Sequence, residues 1–215
     1  IGQRARLLAR VVAPTFDSHR WQVGARLALA RDHLRFGETG DAIRVLEEAL
    51  RLEERDDPRG EHRVTLLDVL AAAYLKMGEL DNCLTPEGSL VCALPLDRSL
   101  VHRDVRGSTS AIATLERLLE IAPDDVKARW LLNVAHMTLG TYPDQVPERF
   151  LVPADRLESG YEVGRFDNVA VAAGLYTHDL AGGAIVEDFD NDGLLDVVSS
   201  TWDPCGSIRY FHNDG

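Results

Sequence analysis

The stretch 36-FGETGDAIRVLEEAL-50 decides the fold of the N-terminal two-thirds of the chain. Ala42, Leu46, Ala49 and Leu50 recur at i, i+4, i+7 and i+8, so they line one face of a helix. Small alanines on this face let a neighbouring helix approach closely. The stretch therefore predicts a helix that packs against another helix.

The same spacing recurs on both sides of this stretch. Gly37 and Gly40 mark a turn within a helical segment from about Trp21 to Glu53, and residues 1–12 also carry a helical pattern. The stretch 110-SAIATLERLLEIAPDD-125 repeats the pattern of the helix after the turn, with Pro123 at its end. The helix before each turn recurs as Arg26, Ala30, His33 and Gly37, as Leu67, Leu70, Ala71, Tyr74 and Gly78, and as Leu132, Asn133, His136 and Gly140.

This recurrence resembles the tetratricopeptide repeat, which has about 34 residues per helix pair. His33 and His136 stand where that family usually has tyrosine, and we expect both to be packing residues. The alternative is a generic array of antiparallel helical hairpins. In either case residues 1–142 are expected to form a helical unit.

A segment at about 79–107 interrupts the second repeat and contains Cys83 and Cys92. A long loop inside a compact helical array is usually functional or pinned by a bond. We favour a Cys83–Cys92 disulfide, which is worth about 2–3 kcal/mol in the loop-entropy view and requires an oxidising compartment. The alternative is a pair of reduced cysteines that pack as small hydrophobic residues. A zinc site is less favoured, because four ligands are needed and only His102 is near.

The helical period ends after Gly140. Residues 143–160 contain Pro143, Pro147 and Pro153 and are interpreted as a linker or capping segment. Short runs typical of strands follow, namely AIVEDF at 184–189, LLDVVSS at 194–200 and SIRYFHN at 207–213. We therefore expect an α+β chain with separate domains, in which a small antiparallel β segment occupies 161–215 and the boundary lies near residue 155.

The loop in 187-EDFDNDGLLDVV-198 carries the most specific chemistry. Carboxylates stand at positions 1, 3, 5 and 9 and would repel one another unless a hard cation binds between them. Gly193 at position 6 allows a sharp turn, and the carbonyl of position 7 is a further oxygen ligand. The predicted Ca²⁺ ligands are Asp188, Asp190, Asp192, Leu194 and Asp196.

An EF-hand is excluded for this loop on the sequence. Position 12 is Ser199, whereas an EF-hand needs a bidentate glutamate there and helices on both sides. The flanks at 184–186 and 194–198 are expected to be strands. The remaining alternative is a solvated acidic hairpin turn without metal.

A strand–DxDxDGxxD–strand unit resembles the FG-GAP/VCBS repeat of integrin-type β-propellers. With FDNVAVAAGL at 166–175 and SIRYFHNDG at 207–215 around it, the chain resembles bacterial relatives of cartilage acidic protein, the ASPIC/UnbV-type family. The insertion with its two cysteines and the following 101-VH-102 resembles a segment found there. The resemblance implies helical repeats followed by the start of a propeller blade, an exported protein and a periplasmic or extracellular location.

Composition limits the function classes. The chain has 215 residues and a formal net charge of −12, which disfavours a nucleic-acid-binding surface because phosphate binding needs clustered cations. No stretch approaches the roughly 20 apolar residues of a membrane span. The motifs GxSxG, Walker A, HExxH and CxxCH are all absent from the sequence. We therefore expect no enzymatic activity.

The expected function is a protein–protein interaction scaffold with a calcium-stabilised β loop, because stacked helix pairs form grooves that bind peptides or helices. Its expected partners are proteins, such as the other subunits of a larger membrane-associated complex. The alternative is a fragment of a larger exported propeller enzyme or glycan-binding protein whose active site lies outside this chain. Cys205 is expected to be buried in a turn between strands, and the alternative is a disulfide to another molecule.

Overall fold

The structure is a computed structural model that describes residues 19–57, 60, 62–85, 88–89, 101–157, 160–161, 167, 169–177, 182–201 and 206–215. The chain divides into two compact units, of which the second comprises Arg35–Gly37 and Val163–Gly215. The first unit is helical and the second contains a small sheet, so the chain is α+β. The helix predicted for 1–12 lies outside the described residues.

The helical part of the chain contains five described α-helices. The predicted turn at Gly37 is confirmed, since this residue adopts a φ of 74°. Gly40 does not belong to the turn: it lies in the first turn of the second helix, because a single left-handed residue is enough to reverse the chain. The helices are α1 His19–Arg35, α2 Thr39–Asp56, α3 Arg63–Asn82, α4 Arg106–Ile121 and α5 Val126–Thr138.

Consecutive helices pack against each other in chain order, from α2 onto α3, α3 onto α4 and α4 onto α5. Leucines and alanines fill the spaces between them, including the fully buried Leu46, Leu67, Leu115 and Leu132. Each buried leucine contributes about 2 kcal/mol through the apolar surface it removes from water. The helical array is therefore held together mainly by the apolar faces that the sequence pattern predicts.

The backbones of α3 and α4 approach closely at Gly78 and Gly107. A Cβ atom on Gly107 would lie 2.5 Å from the backbone nitrogen of Gly78 and 2.7 Å from the carbonyl oxygen of Tyr74. The sequence pattern predicts that the helix ends near Gly78. This prediction is wrong, because α3 continues to Asn82. Its glycine serves the contact between two helices instead of a turn.

The turns after α1 and α5 are built alike. Gly37 and Gly140 both have left-handed backbones, with φ of 74° and 67°. Four residues before each glycine a histidine ring lies beside the side chain that follows the glycine. His33 Nδ1 is 2.5 Å from Glu38 Oε2, and His136 Nδ1 is 2.8 Å from Thr141 Oγ1.

The proline-rich segment after α5 packs on the helical unit. Val146 and Phe150 are buried, and 3₁₀ turns form at Glu148–Phe150 and Ala154–Arg156. The fully buried Asn133 donates to the carbonyl of Phe150 at 2.9 Å and accepts from the amide of Val152 at 2.9 Å. The segment therefore covers one end of the array through specific bonds.

Five short strands complete the described structure. Within the insertion, β1 Leu84–Thr85 pairs antiparallel with β2 Gly88–Ser89. In the second unit, β3 Ala184–Glu187, β4 Asp196–Ser199 and β5 Arg209–Phe211 form an antiparallel sheet in this order. The strands predicted in all three runs of the second unit are confirmed. Across the described ranges, no helix combines the length and apolar character that a membrane crossing requires.

Candidate functional site

The acidic loop joins β3 to β4 and is held by their register. Ala184 pairs with Ser199 and Glu187 pairs with Asp196, so residues 188–195 form the connection. The chain turns at two residues with left-handed backbones, Asn191 with a φ of 62° and Gly193 with a φ of 88°. The glycine predicted to make the sharp turn therefore has the backbone conformation that this role requires.

The carboxylates among the predicted ligands all accept hydrogen bonds from the loop backbone, and three of them lie within the loop. Asp188 accepts from the amides of Asp192 at 3.1 Å and Gly193 at 3.0 Å. Asp190 accepts from that same Asp192 amide at 3.2 Å. Asp192 in turn accepts from the amide of Leu194 at 2.8 Å. The loop is thus folded around carboxylates, and Asp188 and Asp190 converge on one amide.

A histidine that sequence reasoning missed joins this loop. His212 Nε2 lies 2.7 Å from Asp190 Oδ2, and its Nδ1 lies 3.0 Å from Asp214 Oδ1. These two carboxylates raise the pKa of His212, and the hydrogen bond to Asp190 has the larger effect. In the part of the chain that the structure describes, potential ligand atoms of Asp190, Asp192 and His212 all lie within 4.8 Å of one another.

Asp196, the fourth predicted carboxylate ligand, is buried at the start of β4 and bonds to β5. Its Oδ2 accepts from the Tyr210 hydroxyl at 2.7 Å and the Phe189 amide at 3.3 Å, while Oδ1 accepts from the Asn213 amide at 2.8 Å. The bond to Tyr210 is the main cause that lowers the pKa of Asp196, and it raises the pKa of Tyr210 to about 12. Asp196 thereby ties the loop to the third strand.

The cysteine pair is described only in part. Cys92 and Cys205 lie outside the described residues, so the Cys83–Cys92 disulfide and the burial of Cys205 stay predictions. Cys83 is buried at the end of α3, with its Sγ 3.7 Å from Nε2 of the buried His102. Burial lowers the pKa of His102, which favours its neutral form.

His102 is held by partners from three helices. Its Nδ1 lies 3.0 Å from Ser108 Oγ, which also accepts from the Thr138 hydroxyl at 2.7 Å. Asn82 Oδ1 accepts from the amides of Arg103 and Asp104, both at 2.8 Å, and so fixes the chain beside His102. His102, which had no expected role on sequence grounds, lies in a buried polar cluster that anchors the end of the insertion.

A second cluster of histidine and carboxylate side chains lies where α1 is joined to α2. Potential ligand atoms of His33, Glu38 and Asp41 lie within 4.8 Å of one another. On sequence grounds His33 is expected to be a packing residue. Its side chain is 15% exposed and faces a carboxylate. His136, the equivalent residue, is buried, as expected.

Comparison with protein-family models gives no match for this chain. Searches against curated proteins and against solved structures give no significant match either. The resemblance to ASPIC/UnbV-type proteins therefore remains an expectation drawn from the residues themselves.

Proposed function

We propose that the chain is a non-enzymatic scaffold in which helical repeats of tetratricopeptide type bind protein partners and a calcium ion orders the β unit. The observation that carries this proposal is the acidic loop between β3 and β4. Its carboxylates at 188, 190 and 192 come together around a short stretch of backbone. Such crowding costs free energy in an empty loop, and a hard cation offsets that cost.

The donor set of this loop fits calcium. Asp188, Asp190 and Asp192 would hold the ion through carboxylate oxygens, and Leu194 would add its carbonyl. Asp196 Oδ1 accepts a single described hydrogen bond and so keeps a lone pair for a fifth contact. The ion would neutralise the carboxylates and stiffen the β3–β4 connection without taking part in chemistry.

The repeat interpretation is supported by the matching turns after α1 and α5. The same histidine–glycine spacing recurs with the same left-handed glycine and the same ring contact. The equivalent position before Gly78 holds Tyr74, whose hydroxyl donates to Glu47 of α2 at 2.6 Å. The two histidine turns match, as expected of a repeat array with a protein-binding groove. Tyr74 bonds to the neighbouring helix instead of within its own turn.

The exposed apolar residues of the sheet support membership in a larger complex. Ile185 and Val186 are neighbours on β3, so they point to opposite faces, and they are 61% and 56% exposed. Apolar side chains on both faces of a strand are typical of a surface that further protein covers. We propose that other subunits of an extracytoplasmic or membrane-associated assembly cover them. A calcium site and a disulfide both suit a periplasmic or extracellular location.

Hydrogen exchange of the backbone amides with and without calcium tests the calcium site. At a calcium concentration one hundred times Kd, a ligand that binds only the folded state adds about 2.7 kcal/mol of stability. Amides of β3, β4 and β5 should therefore exchange about 100-fold more slowly, whereas amides of α2–α5 serve as the internal reference and should not change.

The matched variants for this experiment are Asp190→Asn and Asp214→Asn, since both remove one carboxylate next to His212. Only the first is a predicted ligand, so it should abolish most of the calcium-dependent protection while the second retains it. Equal protection in both variants, or none in the natural chain, would contradict the calcium site. The scaffold proposal is tested separately by native gels of the protein from its source, where migration as a lone chain would contradict complex membership.

A further inference from the structure

The turn between α1 and α2 carries more acidic groups than its fold requires. The equivalent turn after α5 pairs Nδ1 of His136 with a neutral hydroxyl from Thr141, so this contact involves no carboxylate. In the first turn the same place is taken by Glu38, and Asp41 adds a second carboxylate nearby. The comparison within one molecule shows that a neutral partner can serve this turn.

The three side chains lie on a hydrogen-bonded turn and the helix that follows it. The amide of Glu38 donates to the carbonyl of His33 at 2.9 Å, which closes the turn around Gly37. Asp41 lies in the first turn of α2. The His33 side chain is 15% exposed and that of Glu38 is 23% exposed, so both lose little freedom when a ligand binds.

Glu38 is not used to cap its helix. It occupies the residue before α2, where Ser, Thr, Asp or Asn would accept from a free amide of the first turn. Its side chain makes no such bond and lies instead against His33 Nδ1 at 2.5 Å. The carboxylate is therefore available where an imidazole nitrogen is already in place.

We propose that His33, Glu38 and Asp41 form a binding site for a divalent d-block cation of the Zn²⁺, Co²⁺ or Ni²⁺ class. One imidazole nitrogen and two carboxylate oxygens within 4.8 Å of one another suit these borderline metals. Calcium and magnesium prefer oxygen ligands alone. The negative end of the α1 dipole and the positive end of the α2 dipole meet at this turn and offset each other.

Arg44 is the group that the metal displaces. Its Nη2 lies 3.2 Å from Asp41 Oδ1, and its Nη1 already lies 3.3 Å from Glu48 Oε1. Both pairs are exposed to solvent, which screens the attraction between the charges, so each pair is weak. Arg44 can therefore keep its pair with Glu48 while Asp41 turns to a metal ion.

Cobalt titration of the full chain tests the site. The background is the double substitution Asp190→Asn and His212→Gln, which removes the other cluster of histidine and carboxylate side chains. Co²⁺ bound is measured by equilibrium dialysis, and its absorption spectrum shows whether a cysteine sulfur binds, because thiolate gives an intense near-ultraviolet band. We expect one strongly bound Co²⁺ per chain without that band.

The decisive variant is Glu38→Thr, which copies the Thr141 side chain of the equivalent turn and supplies a good helix cap. It should keep the thermal stability of the background chain while cobalt affinity falls about tenfold or more, since even outer residues of metal sites cost that much. His33→Gln should lower affinity similarly. Unchanged affinity in both variants overturns the site, as does a thiolate band at the first equivalent. The calcium-exchange experiment is independent of these residues, so either proposal can fail alone.

Discussion

Replacing Asn133 by alanine tests how the proline-rich segment is held to α5. The side chain is fully buried and makes two bonds to this segment, to the carbonyl of Phe150 and from the amide of Val152. Each bond contributes about 1 kcal/mol net, and the vacated volume and the unpaired Val152 amide add a similar amount. We therefore expect Asn133→Ala to lower the free energy of unfolding by about 2–4 kcal/mol.

A matched control lies on the same helix. Lys127 Nζ reaches Asp68 of α3 at 2.8 Å, but its side chain is 60% exposed. Such an exposed ion pair contributes about 1 kcal/mol at most. Lys127→Ala should therefore have a much smaller effect than the buried substitution, although both remove a contact from α5.

Urea unfolding followed by circular dichroism at helical wavelengths measures both variants. The slope of the unfolding free energy against urea concentration should be the same in both variants, so that a shifted midpoint reports a change in stability alone. The hydrogen-exchange rate of the Val152 amide should rise in Asn133→Ala at urea concentrations where the helices are still folded. If Asn133→Ala costs no more than Lys127→Ala at equal slope, the buried bonds do not hold the segment and this reasoning is refuted.

Two further predictions concern the α3–α4 crossing and the histidine beside it. Gly107→Ala should destabilise the helical unit by about 2 kcal/mol or more, because its Cβ would overlap the backbone of Gly78; a melting temperature equal to that of the natural chain would show that the helices separate without cost. Burial lowers the pKa of His102 in the folded protein below its unfolded value. The stability that comes from burying the neutral ring is therefore fully present above about pH 6.5, and it is lost as the pH falls through the folded pKa. His102→Gln should flatten the decline of unfolding free energy between pH 7 and pH 5 in urea titrations, and an unchanged slope would contradict the burial of a neutral imidazole.

The helices and the acidic loop could be predicted because their signals are local. The spacing of Ala42, Leu46 and Ala49 matches the period of a helix, so it predicts a helix with one apolar face. The β-rich runs at 184–189 and 194–200 likewise predict strands with a turn between them, and the structure has the strands at Ala184–Glu187 and Asp196–Ser199. Gly40 was misplaced because a glycine is tolerated near a helix start as well as in a turn.

The contacts of the candidate sites depend on pairing between distant residues. His212 meets Asp190 across 22 positions because the sheet register aligns β5 with β4, and a shift of one residue would turn the ring to the other face. Cys83 meets His102 across 19 positions. The local sequence pattern predicts which face of a helix or strand is apolar, but it does not predict the register between two such elements.

The helices, the strands and the acidic loop are therefore predictable from the sequence, since each depends on neighbours within a few residues. Tertiary contacts, by contrast, place Gly78 at a helix crossing, bond Asp196 to Tyr210 and bring His212 to Asp190. These outcomes depend on packing and register summed over whole elements. Their free energies come from contacts that exist only after the elements have come together.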